Sequence, residues 1–251
     1  MSEKLIHYIE STDSTMLEAH RIAESGAASG SVVWAGHQTA GRGRIAERRW
    51  DSRPGDGLLF TVIFTKSDIA ERMKGRPFTL LPLLCGLAVS EAAERFLGKG
   101  ADVRIKWPND VLSSGRKLSG ILCEASGDFV YAGIGINLNQ TRFPDDFRRP
   151  ACSVRQLSGG SLISEGEGRR LLELVIAFLN SALENVFWLR DIEKRLYRIG
   201  EIVRMKPGLP EELAVEAEVI EGRLSGLDST GALLIKTAAG TKSVISGELL
   251  L

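Results

Sequence analysis

The apolar and polar positions of the chain follow one pattern up to about residue 198 and a different one after it. In the first part, apolar runs typical of buried strands are combined with two long helical patterns, at 77–97 and 167–187. From residue 199 onward, short strand-like runs are separated by glycines, as in small β-barrels. The pattern therefore predicts two domains, 1–198 and 199–251.

The strand-like runs of the first domain predict its fold class. They are found at 4–9, 31–35, 58–64, 103–112, 116–124 and 128–139. Because few helices separate the last three, they predict an antiparallel or mixed sheet and argue against a doubly wound fold. Gly127 marks a hairpin turn between two of them. A first helix is expected at 16–23, with Asp13 or Ser14 as its N-cap.

Composition narrows the class of protein. Lysine plus arginine and aspartate plus glutamate both number 32, so the net charge is zero, and a general nucleic-acid binder usually carries a basic excess. Cys85, Cys123 and Cys152 are scattered and form neither a disulfide framework nor a zinc pattern. No apolar run is long enough to span a bilayer, and no signal peptide precedes residue 5. These features predict a cytoplasmic protein.

The stretch 38–50 carries the strongest chemical signal. It contains Gln38, Gly41, Arg42, Gly43, Arg44, Arg48, Arg49 and Trp50. Glycines let a backbone approach a ligand closely, and arginines offer paired donors to carboxylate or phosphate. The stretch therefore predicts an anion-binding loop that becomes ordered over its ligand. A solvated basic turn and a nucleic-acid contact patch are the alternatives on spacing alone.

A second signal is a set of polar side chains within otherwise apolar strands. These are Lys106, Asn109, Asp110, Lys117 and Asn137, and they lie beside Gly120, Gly133 and Gly135. Each has a structural explanation when taken singly: Lys117 can point to water, Asn137 can satisfy a turn, and Asp110 can pair with Lys106. Together with the arginine loop they predict a pocket that aligns a carboxylate with a nucleoside triphosphate.

In this order, the motifs resemble those of the biotin–protein ligases. The resemblance rests on the Gly-Arg-Gly-Arg sequence at 41–44, Lys-Trp-Pro-Asn-Asp at 106–110, Lys-Leu-Ser-Gly at 117–120 and Gly-Ile-Gly-Ile-Asn at 133–137, and it extends to Ser-Gly-Glu at 246–248. It implies an α+β fold: a mixed, curved β-sheet domain with helices on one side, followed by a small SH3-like β-barrel. It also implies a reaction that joins biotin to AMP, using MgATP, and then transfers biotin to a lysine of a biotin carboxyl carrier domain of a biotin-dependent carboxylase.

The resemblance also assigns roles to particular residues. Lys117 and Arg42 are implied as catalytic. Biotin binding is implied for Ser14, Thr15, Gln38, Gly41, Arg42, Gly43, Arg44, Lys117 and Gly120. ATP binding is implied for Arg44, Arg48, Trp50, Lys106, Asn109 and Asn137. Asp110 is implied as a ligand of Mg²⁺.

The chain departs from the family pattern in three places. Met16 stands where the family usually has asparagine. Between Arg44 and Trp50 the chain has one residue more than the family pattern, so either Arg48 or Arg49 could correspond to the family's later arginine, and Arg48 is preferred. The sequence begins directly at the catalytic domain, so no DNA-binding or repressor function is expected. A homodimer formed through an edge of the sheet is possible. The rival interpretations are a lipoate or octanoate ligase or transferase, and a non-catalytic binding module such as a biotin sensor or an RNA-contacting protein.

Overall fold

The computed structural model describes residues 6–44, 49–98, 100–143, 150–208 and 219–250. The helices in these ranges are α1 (Thr15–Glu24), α2 (Lys66–Arg72), α3 (Leu81–Leu97), α4 (Val154–Leu157), α5 (Glu165–Glu184) and α6 (Trp188–Glu193). The first nine strands are β1 (Ile6–Ile9), β2 (Val32–Ala35), β3 (Gly41–Arg42), β4 (Arg49–Trp50), β5 (Gly57–Thr65), β6 (Val103–Lys106), β7 (Asp110–Ser113), β8 (Arg116–Ser126) and β9 (Phe129–Asn137). The remaining strands are β10 (Ile202–Pro207), β11 (Ile220–Leu227), β12 (Leu233–Thr237), β13 (Gly240–Val244) and β14 (Gly247–Leu250).

Seven strands form one large mixed sheet, in the order β1-β2-β5-β9-β8-β7-β6. β1 and β2 are parallel, and all other neighbours are antiparallel. Strands β8 and β9 form the hairpin predicted around Gly127, with Ser126 opposite Phe129. The predicted mixed sheet is therefore confirmed. β5 lies near its centre and is almost entirely buried, as its uninterrupted apolar sequence requires.

The two faces of this sheet carry different layers. On one face, α3 and α5 pack with Phe60, Ile121 and Ile134 in the main hydrophobic core. On the other face, α1 packs in a smaller cluster with Met16 and Tyr131. Successive residues of a strand point to opposite faces of the sheet. Every second residue of β8 and β9 therefore lies on the main-core face, and the residues between them lie on the face that carries α1. α1 thus borders an area of sheet that no long helix covers among the described residues.

The helix bounds differ from the sequence expectations at several ends. The stretch 77–97 begins with a 3₁₀ turn, Phe78–Leu80, before α3. Ser164 and Glu167 form a capping box that starts α5 two residues before the predicted helix. α2 had no counterpart among the predictions. In the described ranges, no helix combines the length and apolarity needed to cross a bilayer.

The last five strands form a separate antiparallel sheet, in the order β13-β12-β11-β10-β14. This confirms a small all-β unit at the C-terminus. Its outer strands β13 and β14 are not paired with each other in the described part of the chain, so the sheet is open there rather than a closed barrel. Residues 209–218 lie outside the described residues, and β11 begins at Ile220.

Hydrogen bonds join this C-terminal sheet to the larger part of the molecule, and two of them lie near α6 and the turn between β6 and β7. The indole nitrogen of Trp107 donates to the carbonyl of Gly231 over 3.0 Å, in a buried position. The backbone nitrogen of Leu227 donates to Oε1 of Glu193 over 3.0 Å. Trp107 lies between Lys106 and Asn109 in the sequence. The C-terminal sheet is therefore connected directly to the turn between β6 and β7.

Candidate functional site

The face of the large sheet that carries α1 contains three glycines, Gly120, Gly133 and Gly135, which we call the glycine floor. Gly120 and Gly135 lie opposite each other in the register of β8 and β9, and Gly133 is two residues away on the same face. A Cβ atom on Gly135 would lie 2.8 Å from Cε2 of Trp50, and one on Gly120 would lie 2.9 Å from Cζ3 of the same ring. A Cβ on Gly133 would lie 2.9 Å from Cε of Met16. Only glycine therefore permits these side chains to rest on the sheet.

The arginine loop folds over this floor as a short two-stranded ribbon. β3 and β4 pair antiparallel, with Gly41 opposite Trp50 and Arg42 opposite Arg49. Gly41 is required there, because a Cβ would lie 2.5 Å from the carbonyl oxygen of Trp50. The Trp50 indole nitrogen is buried and has no hydrogen-bond partner among the described residues. A buried donor without a partner is costly, so the ring is placed where a ligand acceptor would relieve that cost.

A polar network borders the floor at the start of α1. Oε1 of Gln38 accepts from the backbone nitrogen of Thr15 over 2.7 Å and from its hydroxyl over 2.8 Å. The hydroxyl of Thr61, in the middle of β5, donates to Oγ1 of Thr15 over 2.9 Å. Ser14 rather than Asp13 caps the helix, accepting from the backbone nitrogen of Met16. Because Gln38 uses its oxygen in this network, its amide NH₂ is left to donate elsewhere.

Lys117 borders the floor on the side of β7. Its Nζ lies 2.7 Å from Oδ1 of Asp110 and 5.8 Å from the ring centroid of Trp50. A Cβ on Gly120 would lie 3.2 Å from the same nitrogen. The ammonium group is therefore next to the glycine floor, as the pocket interpretation predicts, and does not point away into water.

The backbone of Lys117 is fixed on both sides. Its nitrogen donates to the carbonyl of Pro150 over 2.9 Å, and its carbonyl accepts from the nitrogen of Cys152 over 2.9 Å. Nδ2 of Asn137 donates to the Lys117 carbonyl over 3.1 Å and to that of Cys152 over 3.0 Å. The amide group of Asn137 thus holds backbone together, which was the structural alternative for this residue. The base of Lys117 is consequently rigid.

Other predicted site residues take structural positions nearby. Nδ2 of Asn109 donates to the carbonyl of Ile121 over 2.7 Å, which ties the turn after β6 to β8. Lys106 is buried, with 3% of its surface exposed, and lies opposite Asp110 in the register of β6 and β7. The Lys-Trp-Pro-Asn-Asp sequence therefore forms a compact turn whose last residue contacts Lys117.

The arginines of the loop are distributed around the ribbon. Arg42 and Arg49 are exposed. Arg44 follows Gly43 and donates through Nη2 to the carbonyl of Gly247 over 2.9 Å, at the start of β14. Arg48 lies outside the described residues. The structure thus brings Gln38, Thr15, Trp50, Gly120 and Lys117 together, whereas Arg44 contacts the C-terminal sheet.

Sequence reasoning missed Thr61 and the segment at 150–152. Thr61 is fully buried in the apolar run of β5, and a lone polar residue in such a run is the signal that could have identified it. Cys152 is also fully buried, and burial raises the pKa of its thiol to about 11. A thiol of that kind stays protonated at neutral pH, so Cys152 supports the backbone and is not a nucleophile.

No group of three or more histidine, cysteine, aspartate or glutamate side chains that would hold a metal by itself occurs in the described residues. What the site offers is an amide donor at one end, a lysine ammonium at the other and a flat floor between them. Such a groove suits an elongated ligand that has a flat head with hydrogen-bond acceptors and an anionic tail.

Comparison with known proteins places these features in a family context. Residues 7–139 match the Biotin/lipoate A/B protein ligase family, and residues 212–251 match the Biotin protein ligase C terminal domain. The chain is 32% identical to the bifunctional ligase/repressor BirA of Bacillus spizizenii, over 99% of this chain and 74% of that protein. It is also 32% identical to the biotin–[acetyl-CoA-carboxylase] ligase of Mycobacterium tuberculosis, over 92% of this chain and 85% of that one.

Among solved structures, the fold is similar to that of biotin protein ligase from Aquifex aeolicus in complex with biotin and ATP. The two share 30% sequence identity with a TM-score of 0.78, and the match covers 98% of each chain. The similarity therefore extends over both sheets and is not confined to the large one.

Proposed function

We propose that this chain, which belongs to the Biotin/lipoate A/B protein ligase family, is a biotin protein ligase. In the first step the carboxylate of biotin attacks the α-phosphate of ATP, giving biotinyl-5′-AMP and pyrophosphate. In the second step a lysine of a biotin carboxyl carrier domain attacks the mixed anhydride, giving biotinylated carrier and AMP. The carrier would belong to a biotin-dependent carboxylase.

The observation that carries this proposal is the glycine floor with Gln38 at one side and Lys117 at the other. Biotin has a compact bicyclic head with a planar ureido group and a flexible tail that ends in a carboxylate. The head requires close contact with a flat surface and hydrogen-bond donors, and the tail requires a cation. The floor, the NH₂ of Gln38 and the Lys117 ammonium meet these requirements in that order.

The head of biotin would be held at the start of α1. The oxygen of the Ser14 hydroxyl accepts from the Met16 nitrogen. A hydroxyl can accept and donate at the same time, so its proton can be donated to the ligand. Thr15 is fixed by Gln38 and Thr61, so it orients Gln38 for the ligand. The ribbon residues Gly41, Arg42 and Gly43 would close over the head. Met16 supplies an apolar contact above Gly133 at this end.

Lys117 would hold the carboxylate next to the α-phosphate. Two anions repel each other, and a fixed ammonium between them offsets that repulsion and stabilises charge that develops as the anhydride forms. Its rigid backbone fits this role, because positioning is the main contribution an enzyme makes to displacement at phosphorus. Gly120 permits the tail to pass close to the sheet.

The nucleotide would lie over the same region, beneath the ribbon. We assign the adenine contact to Trp50, and further nucleotide contacts to Lys106, Asn109, Asn137, Arg44 and Arg48. Asn109 and Asn137 use their NH₂ groups on backbone carbonyls, so their contribution is to shape the turn and to present side-chain oxygens. An adenylate is easily hydrolysed, and a ribbon that closes over it excludes water.

Mg²⁺ fits the donors of this site. Magnesium in nucleotide enzymes is usually held by one or two protein oxygens together with substrate phosphates. Asp110 provides a carboxylate and Asn137 an amide oxygen on the same side of the floor as Lys117. When bound, the ion would neutralise phosphate charge. A dedicated cage of several carboxylates is not needed for that task.

Several broader assignments follow as predictions. Residues 1–198 would be the catalytic domain and 199–251 the C-terminal domain. The enzyme would act in the cytoplasm, where ATP and carboxylases are found. Homodimerisation through an edge of the large sheet would be measured by light scattering.

The direct test is transfer of biotin to a recombinant carrier domain, detected as a mass increase on its acceptor lysine. We expect transfer that requires both ATP and biotin and that is lost in Lys117→Ala. A carrier whose acceptor lysine is replaced by arginine is the matched control. Absence of transfer with a folded enzyme and several carrier domains would contradict the proposal.

Lipoate is the second candidate substrate, because the matched family includes lipoate ligases. The same assay with a lipoyl domain and lipoate separates the two. Modification of the lipoyl domain but not of the biotin carrier would retain the adenylation chemistry and change the substrate.

A further inference from the structure

The ion pair between Lys117 and Asp110 lies within the proposed ligand groove. The two charged atoms are 2.7 Å apart, and the side chains are 28% and 16% exposed. Water screens such a partly buried pair less than it screens a surface pair. The pair is therefore an appreciable electrostatic interaction at the place where a substrate carboxylate would bind.

The sheet register places Asp110 on the same face as the glycine floor. Asp110 lies opposite Gly120 in the pairing of β7 and β8, and Gly120 lies opposite Gly135 in the pairing of β8 and β9. Residues directly opposite each other in antiparallel strands point to the same face. Asp110, Gly120 and Gly135 thus form one row across the three strands, and Asp110 is the member of the row that has a side chain. Its position is set by backbone pairing and not by a flexible loop.

Resting on the proposed function, we propose that Asp110 is an internal counter-anion that competes with the substrate carboxylate for Lys117. In the free protein it holds the ammonium beside Gly120. An incoming carboxylate must either displace the Asp110 carboxylate or share the ammonium with it, and sharing puts two negative charges a few ångströms apart. Both routes weaken the binding of an acid and leave the binding of a neutral analogue unaffected. Asp110 is therefore a positioning residue that sets the affinity for the acid.

The test measures affinity without catalysis. Biotin and its uncharged analogue biotinamide are titrated calorimetrically into wild-type protein and into Asp110→Asn, without ATP or Mg²⁺. Asparagine has nearly the same shape as aspartate but no charge. We expect biotin to bind Asp110→Asn roughly three- to tenfold more tightly, as the coupling energies of partly exposed ion pairs suggest. Biotinamide should bind both proteins equally.

Two further variants make the result specific. Lys117→Gln should lose the preference for biotin over biotinamide, because it lacks the ammonium group for which the carboxylates of biotin and Asp110 compete. Asp102→Asn is the matched control. Asp102 also forms an ion pair at 2.7 Å, with Arg104 on β6, but it is not one of the residues that line the groove. It should leave both affinities unchanged. Thermal unfolding of each variant confirms that it is folded.

The outcomes separate this inference from the proposed function. Wild-type protein that binds biotin, with no gain or a loss in Asp110→Asn, would overturn the inference alone. Equal gains for biotin and biotinamide would also overturn it, because the effect would then be one of shape. Wild-type protein that binds no acid would overturn the proposed function, and the inference with it.

Discussion

The indole of Trp50 lies directly against Gly135. A methyl group at that glycine would come within 2.8 Å of Cε2 of the ring and within 2.9 Å of Cζ2. In the free protein this ring covers two of the three bare positions of the floor. The flat surface proposed to receive biotin and nucleotide is therefore partly covered by a side chain of the chain itself.

Gly135→Ala should affect both stability and ligand binding. The added Cβ either forces the ring away or strains the ribbon, and overpacking of this kind typically costs about 1–3 kcal/mol. It also raises the floor under the ligand, so we expect biotin to bind at least tenfold more weakly. Urea unfolding and calorimetry measure the two effects.

Gly166→Ala is the control for this substitution. Gly166 lies in the first turn of α5, and a Cβ there would meet nothing within 4 Å. Alanine is the better helix former by up to about 1 kcal/mol, so stability should stay the same or rise. Equal behaviour of the two variants would contradict the close approach of Trp50 to the floor.

Gln38→Glu tests the proposed contact with the head of biotin. The carboxylate oxygens can still accept from the nitrogen and hydroxyl of Thr15, so the melting temperature should change little. The two N–H donors are lost, and a negative charge is placed near the ureido carbonyl. We expect biotin to bind at least tenfold more weakly, which corresponds to about 1.4 kcal/mol.

A matched control for that change is Gln140→Glu. Gln140 is partly buried and donates locally, to the carbonyl of Arg142. The Gln140→Glu variant should bind biotin with the same affinity as the wild type. If Gln38→Glu also retained wild-type affinity, the head of the ligand would have to lie elsewhere.

Part of this arrangement could be predicted from the sequence. The long apolar runs of β5, β8 and β9 predicted the sheet, and the Lys117, Gly120 and Trp50 motifs predicted a common pocket. Local patterns could not show that Asp110 pairs with Lys117, because that contact depends on the register of β7 with β8 and on a bulge between Val111 and Leu112. Nor could they show Thr61, whose partner lies 46 residues away.

The C-terminal sheet illustrates the same limit. Its strands were predicted from short strand-like runs separated by glycines, but the contact of Gly231 with Trp107 depends on tertiary packing. The support of Lys117 by Pro150 and Cys152 is another case, since the sequence at 150–152 has no strand pattern. Short-range patterns thus predict elements, and long-range packing decides which polar groups meet.

Cys152 should make stability depend on alkaline pH. Burial raises the pKa of its thiol to about 11 in the folded protein, compared with about 8.5 in an unfolded chain. The folded state then holds the proton more tightly, so this contribution is fully present below about pH 8.5 and is lost as the pH rises towards 11. The unfolding free energy of Cys152→Ala should decline less over that range than that of the wild type.

Thiol labelling gives an independent check of the same burial. At pH 8, Cys152 should react with a disulfide reagent only after the protein is unfolded in urea, as mapped by peptide mass analysis. Rapid labelling of Cys152 in the folded protein, or equal pH slopes for the two proteins, would contradict its burial behind Lys117.

Gly231→Ala should disrupt the contact between the C-terminal sheet and the rest of the protein. Gly231 has φ of +83°, and a Cβ there would lie 2.3 Å from Cδ2 of Leu80 and 3.2 Å from Cδ1 of Leu83. Gly75 has a similar φ of +75° but open space around it. Gly75→Ala therefore reports backbone strain alone. We expect Gly231→Ala to be less stable than Gly75→Ala by about 1–3 kcal/mol in urea unfolding. Equal losses of unfolding free energy in the two variants would contradict the packing of Gly231 against Leu80 and Leu83.

The proposed groove activates biotin as an acyl-adenylate. The most direct measurement is exchange of labelled pyrophosphate into ATP by the purified protein with Mg²⁺, in the presence of biotin, lipoate, octanoate or no acid. We predict exchange that requires biotin and is abolished in Lys117→Ala. Folded protein that catalyses no exchange with biotin, or that exchanges equally without any acid, would contradict the formation of biotinyl-5′-AMP in this groove.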